Sequence, residues 1–448
     1  MKPLRRAITW LFVRLVLPAY FRDIDVIGAP PSSDVRGRLF VSNHVNAILD
    51  PILVFATCAP PISPVAKSTL WKVPGLRFLL GVVDSVKIIR RVDEPSKQGG
   101  SNDQVFDEVA AWLLGGGNIL IFPEGTSHNE PHLVALRSGA SRMLERAGEL
   151  GRLDTVTVQS VALTFDDREQ ARSCVLVEYG PAFVASEIEG AGEVATNAQA
   201  FRKAFNERIR KDLTDRLVEG RTWDEFRFFS RSAEMLANDE KDARLRTWKK
   251  WGSRVAAAAR RAEAEETESE AARSDEAVQT AMETARRAVT AYFEELASRS
   301  LLDEDVAHPP SPFDGLVAKL ILLVISPVAL FGIFVQGIPY AATRYFAGRV
   351  KSGDETGTIR MGVALALHPP WTVAVLVAAL VALPFPWSVS VAALILLSPI
   401  ATISWIDTLP SIARRWRRLR ARGSLPSLKT RRSEAIALLR ECLSREHG

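Results

Sequence analysis

Apolar residues along this chain fall into three successive patterns. Between residues 36 and 185 they come as short runs: Arg38-Leu-Phe-Val-Ser42, Val86-Lys-Ile-Ile89, Asn118-Ile-Leu-Ile-Phe122, residues 156–165 and Cys174-Val-Leu-Val-Glu178. Helical stretches at 106–114 and 138–150 separate them. A strand that is apolar on both sides must be covered on both faces, so the alternation predicts an α/β domain with a mostly parallel sheet. From 197 to 300 the period changes. Phe201, Phe205, Ile209, Leu213 and Leu217 recur every four residues and mark an amphipathic helix. Residues 233–300 are rich in Ala, Glu and Arg, which predicts a charged helical insert, as a hairpin on the α/β domain or with largely solvated faces.

The third pattern begins at residue 312. Residues 315–342 hold one charge, Lys319, and residues 361–383 and 387–406 hold none. Crossing the hydrocarbon core of a bilayer takes roughly 20 apolar residues. The last two segments therefore read as a transmembrane hairpin turning at Pro384-Phe-Pro386. Pro327 and Pro339 interrupt the first segment, for which a re-entrant or kinked hairpin at 315–342 is expected. Arg344, Arg349, Lys351 and Arg360 lie before the hairpin, and Arg414, Arg415, Arg417, Arg418, Arg420 and Arg422 follow it. Basic segments stay on the cytoplasmic side, which puts both ends of the hairpin there.

At the N-terminus, Leu4, Ile8, Leu11, Phe12 and Leu15 share one side of a helix, with Lys2, Arg5, Arg6 and Arg14 off it. That is the pattern of a helix lying on an anionic membrane, or of a surface helix covering the next domain. The division expected is residues 1–30 membrane-associated, 31–196 the α/β domain, 197–311 the charged helical region, 312–408 the membrane domain and 409–448 a basic cytoplasmic tail. The mean hydropathy of +0.04 averages over these contrasts. The net charge of +5 adds little. Cys58, Cys174 and Cys442 form no CxxC pair, which argues against a disulfide framework or a zinc site and for a reducing compartment.

Two blocks carry candidate chemistry. Val41-Ser-Asn-His-Val-Asn-Ala-Ile-Leu-Asp-Pro51 follows a strand run and precedes a helical one. Its His44 has the near-neutral pKa range of a general base, and Asp50 can fix the imidazole tautomer. Six positions on a regular helix would put the two side chains about 240° apart, so His44 belongs in a loop or a distorted first turn. The second block is Ile119-Leu-Ile-Phe-Pro-Glu-Gly-Thr-Ser-His-Asn-Glu-Pro131. Pro123 and Gly125 make a sharp turn at the carboxyl end of a strand, where ligand sites of α/β sheets form, and Glu124 is locked between them. Between the blocks, Lys67, Lys72, Lys87, Arg90 and Arg91 suit a phosphate-bearing ligand or a basic rim facing anionic lipid.

Asn43-His44 followed by Asp50, and Phe122-Pro-Glu-Gly125 downstream, resemble the first and third motifs of the glycerolipid acyltransferase superfamily. That superfamily includes glycerol-3-phosphate and lysophosphatidic acid acyltransferases. The extended block to Pro131 and Arg137-Ser-Gly-Ala-Ser-Arg142 resemble its yeast-type glycerol-3-phosphate/dihydroxyacetone-phosphate branch and bacterial relatives. The resemblance implies an α/β acyltransferase domain with a mostly parallel sheet, plus a helical insert and C-terminal transmembrane helices. It implies that His44 and Asp50 are catalytic and that Asn43, beside them in the motif, binds substrate. Arg90 matches the second motif's phosphate-binding arginine, and Glu124, Gly125 and Thr126 lie in the third motif, which positions the acceptor. Residues 161–165 occupy the fourth motif, associated with the acyl donor. Four departures bear on the acceptor. Five residues rather than four separate His44 from Asp50, a spacing shared by the yeast-type branch. Ser127 stands where an arginine is usual, so Arg137 or Arg142 takes over phosphate contact. Ser160 replaces the fourth motif's proline, and the second motif's aromatic is missing.

The activity so implied is O-acyl transfer from acyl-CoA or acyl carrier protein to glycerol 3-phosphate or 1-acylglycerol 3-phosphate in phospholipid synthesis. The expected partners are membrane lipids, the acyl donor and a glycerophosphate acceptor, with no nucleic acid, no metal and no cofactor besides the donor co-substrate. A multi-pass membrane location with the catalytic domain on the cytoplasmic side follows. Two other readings stay open: a remodelling enzyme acylating a lysophospholipid of larger head group, and a non-catalytic lipid-binding membrane scaffold.

Overall fold

The computed structural model describes residues 7, 10–30, 37–72, 74–89, 103–268, 272–308, 312–350 and 353–444. It divides into two units. One comprises Met1–Leu217 with Lys351–Thr358, the other Val218–Val350 with Ile359–Gly448.

The first unit is built on eight strands: β1 (Asp23–Ile27), β2 (Gly37–Ser42), β3 (Ser63–Lys67), β4 (Val86–Ile88), β5 (Asn118–Ile121), β6 (Val156–Phe165), β7 (Cys174–Tyr179) and β8 (Phe183–Val184). Their order is β1-β7-β6-β2-β5-β3-β4, with β8 on β6. Pairing is parallel except for β6 with β7 and with β8. The expected mostly parallel sheet is therefore present. The five apolar runs each became a strand. β1, β3 and β8 carried weaker signals: β1 alternates acidic residues at Asp23 and Asp25, β3 contains Pro64, and β8 has two residues.

Six helices belong with this sheet: α1 (Leu17–Tyr20), α2 (Leu49–Thr57), α3 (Pro74–Val82), α4 (Asp103–Leu114), α5 (Gly139–Glu149) and α6 (Ala198–Thr214). Leu39, Val41, Ile119, Ile121, Val156 and Val158 meet α4, α5 and α6 in one core. Gly37 lets β2 approach α4 closely, because a Cβ there would stand 1.8 Å from the Leu113 carbonyl oxygen. The four-residue stripe of α6 (Phe201, Phe205, Ile209 and Leu213) is fully buried in this core. Burying such side chains contributes about 1.5–3 kcal/mol each. The boundary drawn at 196 is thus corrected: the unit runs on to Leu217, because that stripe has nowhere else to be dry. At the N-terminus Leu4 and Ile8 lie outside the described residues, while Trp10, Leu11 and Leu15 are exposed.

In the second unit, α7 (Trp223–Asp239), α8 (Leu245–Glu268), α9 (Ala272–Ser298), α10 (Asp303–Ala307) and α14 (Leu425–Ser444) form a bundle. Ala256, Ala258, Ala259 and Ala285 line its core, so the Ala-rich composition serves close helix packing. In its described residues, the basic tail expected at 409–448 is largely helical and packed into this bundle. α14 buries Leu428, Ala435, Ile436, Leu439 and Leu443, and Arg432 is buried with them. Arg414 and Arg417 bind Asp305, and Arg414 donates to the carbonyls of Glu304 and His308, satisfying the end of α10.

Among the described residues, three helices are long and apolar enough to cross a membrane: α11 (Pro312–Ala347, the apolar stretch from Leu322), α12 (Gly353–Ala382) and α13 (Trp387–Arg420). α11 is one helix of 36 residues and not the hairpin expected at 315–342. A proline removes the N–H that would bind the carbonyl four residues earlier, and another donor can replace it. For Pro339 that carbonyl is Val335, which accepts the Trp371 indole N–H at 2.7 Å. For Pro399 in α13 it is Ile395, which accepts the Ser398 hydroxyl at 3.1 Å. α11 and α13 run antiparallel: Trp405 donates to Ser326 and Thr402 to the Ala329 carbonyl. Gln336 joins α11 to α12 through His368 and Thr372.

Candidate active site

The two blocks, 80 positions apart in sequence, emerge side by side. β2 and β5 are adjacent and parallel, with Val41 opposite Ile121, so both chains leave the sheet at the same edge. β2 continues into the loop with His44, and α2 begins at Leu49, which puts Asp50 in the first helical turn.

Asp50 is fully buried, and its Oδ2 accepts three hydrogen bonds: from His44 Nδ1 at 2.9 Å, Val45 N–H at 2.8 Å and Asn46 N–H at 2.7 Å. A carboxylate only accepts, so the proton lies on Nδ1 and Nε2 keeps its lone pair. The His44 ring is stacked on Phe122, centroids 4.1 Å apart, and 17% of its side chain is exposed. The ring is thus held against the second block with one basic nitrogen still to be used.

Glu124 is also buried. Its Oε1 accepts the His44 backbone N–H at 2.6 Å, and its Oε2 accepts from Val134 N–H and His128 Nε2. The expected role for Glu124 was to position an acceptor. In this structure its hydrogen bonds run to the protein, where it fixes the backbone of His44. His128 was not among the expected site residues. Its Nδ1 accepts from the Glu130 N–H, which places its proton on Nε2, toward Glu124. The two histidines therefore hold opposite tautomers, one tethering a carboxylate and the other leaving Nε2 available. The signal for His128 lay in plain view, three residues after Gly125.

The other expected residues divide. Asn43 turns inward and exchanges two hydrogen bonds with the Leu163 backbone of β6, locking the loop to the strand of the fourth motif. Gly125 has a φ of +76° and lies against Arg137, whose Cγ would be 3.2 Å from an added Cβ; a side chain there would be strained and crowded. Thr126 and Arg137 are exposed at this turn. Arg142 is paired with Asp103 at 2.9 Å and lies over the Phe106 ring, which directs it toward α4. Arg90 and Arg91 lie outside the described residues. Lys67 and Lys87 sit on the paired strands β3 and β4. Burial pushes the Cys58 thiol up to about 12, which rules it out as a thiolate nucleophile near neutrality. Among the described residues, no three His, Cys, Asp or Glu side chains are grouped to hold a metal ion.

A histidine oriented by a buried carboxylate is an arrangement suited to general-base chemistry at a hydroxyl. Residues 23–164 match the family model described as Acyltransferase. This segment is an acyltransferase domain. Its first strand, both blocks and most of β6 fall within the match. The chain is also similar to a solved structure, the 1-acyl-sn-glycerophosphate (LPA) acyltransferase PlsC from Thermotoga maritima. Identity is 16% over 46% of this chain and 73% of that one, with a TM-score of 0.30. Comparison with curated proteins finds no match.

Proposed function

We propose that the acyltransferase domain moves a fatty acyl group from acyl-CoA or acyl carrier protein to a hydroxyl of glycerol 3-phosphate or 1-acylglycerol 3-phosphate, in glycerolipid synthesis. The observation that carries this reading is the His44–Asp50 pair, with Nδ1 of His44 2.9 Å from the buried carboxylate and the His44 side chain partly exposed. Nε2 takes the proton of the acceptor hydroxyl as its oxygen attacks the thioester carbonyl. The new C–O bond forms, the C–S bond breaks, and the imidazolium returns the proton to the departing thiolate. Asp50 stabilises the imidazolium while it exists. Backbone N–H groups of the turn after Gly125 serve the developing oxyanion. Arg137 and Arg90 are the proposed phosphate contacts, Arg137 because it is exposed at the turn beside Gly125.

The chain is read as a membrane protein with this domain on the cytoplasmic side. The residues before α11 and after α13 share one bundle, through α9 with α14 and α10 with Arg414 and Arg417. An even number of crossings joins them. We read α12 and α13 as the crossing pair, which leaves Thr358, at the start of α12, on the same side as the loop that carries His44.

The test is transfer from radiolabelled long-chain acyl-CoA by purified membranes, with glycerol 3-phosphate and lysophosphatidic acid as separate acceptors. A product from one acceptor that is lost in His44→Ala supports the reading and names the step. Transfer only to a lysophospholipid of larger head group would replace it with remodelling. Transfer that survives His44→Ala would remove His44 as the base.

A further inference from the structure

The loop that carries His44 is fastened by residues more than three hundred positions away. At the start of a helix, N–H groups lack partners within the helix. α2 has no side-chain cap of its own, since Ile48 occupies the N-cap position. Asp50 takes the N–H groups of Val45 and Asn46 in the loop before it. The Ile48 N–H is taken by Oγ1 of Thr358 at 2.9 Å, and the same hydroxyl lies 3.4 Å from the Asn46 carbonyl, to which it donates. Thr358 stands in the second turn of α12, within the segment Lys351–Thr358 that belongs to the first unit.

Its neighbour fits as tightly. A Cβ on Gly357 would stand 2.7 Å from Asn46 Oδ1, 2.9 Å from Leu49 Cδ1 and 3.0 Å from the Arg168 carbonyl oxygen. The Gly357 carbonyl accepts from the Tyr20 hydroxyl at 3.1 Å, which anchors this turn to α1. Between Asn46 and Ile48, Ala47 is held at φ +35°, a conformation that a residue with a Cβ rarely adopts. Such a conformation persists only where its surroundings impose it. Here the imposing contacts are those of Asp50 on one side and Thr358 on the other.

We propose that Thr358 and Gly357 are positioning residues for acyl transfer. They hold the 44–50 loop in the shape that keeps Asp50 on His44 Nδ1 and Nε2 facing the acceptor. The proposal rests on the acyl-transfer reading. It concerns geometry at the base and not substrate contact, so its mark is a fall in kcat with KM for donor and acceptor unchanged.

Thr358→Val removes the hydroxyl and keeps the shape, Thr358→Ser keeps the hydroxyl, and Gly357→Ala presses on Asn46 with the hydroxyl intact. All are measured in the full chain in membranes, normalised to protein present, beside wild type and His44→Ala. Misplacing a reacting group by about an ångström costs up to about 100-fold, so Thr358→Val and Gly357→Ala should each lose about 10- to 100-fold in kcat. Thr358→Ser should recover to within about threefold of wild type. If Thr358→Val fails to accumulate, Gly357→Ala against Thr358→Ser carries the comparison. Wild-type kcat in Thr358→Val or Gly357→Ala, or equal losses in Thr358→Val and Thr358→Ser, overturns the proposal. So does a rise in KM that accounts for the loss. Activity present in wild type, absent in His44→Ala and untouched in Thr358→Val sinks this proposal alone. A wild type that transfers to no glycerophosphate acceptor sinks the underlying reading with it.

Discussion

Both units bury carboxylates, and they use them in opposite ways. In the α/β unit, Asp50 and Glu124 accept from backbone N–H groups and two histidines, and the Arg168 guanidinium lies close enough to Asp50 to interact with its charge. In the helical unit, the fully buried Asp303 is saturated by Arg432 at 2.8 Å, the Tyr292 hydroxyl at 2.7 Å and the Asn238 amide at 2.8 Å. Arg432 in turn reaches Asp239 and the Met235 carbonyl. The second network closes on itself and ties α14 to α7, α9 and α10. The first ends at His44, whose side chain is partly exposed. A buried charge is therefore a poor sign of chemistry by itself. What distinguishes a site is a network that stops one hydrogen bond short, at a group able to take a proton.

Substitutions at the two networks should separate these uses. The largest effect is expected at His44. His44→Ala should cut transfer by about 1,000-fold or more, with thermal unfolding near that of wild type, since proton transfer from a placed base contributes about 100- to 10,000-fold. Next is Arg432→Leu, which strands Asp303 without its cation. Breaking a buried pair from one side costs about 3–5 kcal/mol. A melt of the detergent-solubilised chain should show a transition lowered by roughly 10 °C, with kcat per folded molecule retained. If Arg432→Leu removed activity and left the melt in place, the contrast between the two networks would be wrong.

Glu124→Gln tests the finding that Glu124 faces the protein. A neutral amide cannot accept from His44, Val134 and His128 as the carboxylate does, and kcat should fall about 10- to 100-fold with KM for the acceptor little changed. A rise in KM at constant kcat would return Glu124 to acceptor binding. The smallest effect is a pH dependence of the helical unit. Burial, then the charge of Asp303, pushes the Glu234 carboxyl from 4.5 to about 7. The unfolded chain releases this proton near 4.5 and the folded one near 7. The stability associated with the protonated form is full below 4.5 and is lost as pH rises to about 7. At about 1.4 kcal/mol per pH unit, the loss is roughly 2 kcal/mol after allowance for partial exposure. Glu234→Gln should therefore melt higher than wild type at pH 8 and equally at pH 4.

Much of the α/β unit could be read along the chain. Five apolar runs became five strands, in four of them because a buried strand has no choice of composition while β4 is only half-buried, and the four-residue stripe of α6 announced its helix. The acidic turn after β5 and the His44–Asp50 spacing were legible for the same local reason: Pro123, Gly125 and the six-residue separation restrict the backbone wherever it goes. Composition likewise fixed the three long apolar segments, though not their shapes. α11 stays whole across Pro339 because Trp371, on another helix, supplies the missing hydrogen bond.

What the tertiary structure alone decided is which polar groups meet. That Glu124 would hold the His44 backbone depends on β2 lying beside β5, a pairing between residues 80 apart. That Arg142 would turn to Asp103, that Arg432 would be buried, and that Thr358 would cap α2 are all long-range matters. Local preference acts through neighbours in sequence and sets which element forms. A hydrogen bond needs two groups within about 3 Å, and folding alone selects the partner from the whole chain.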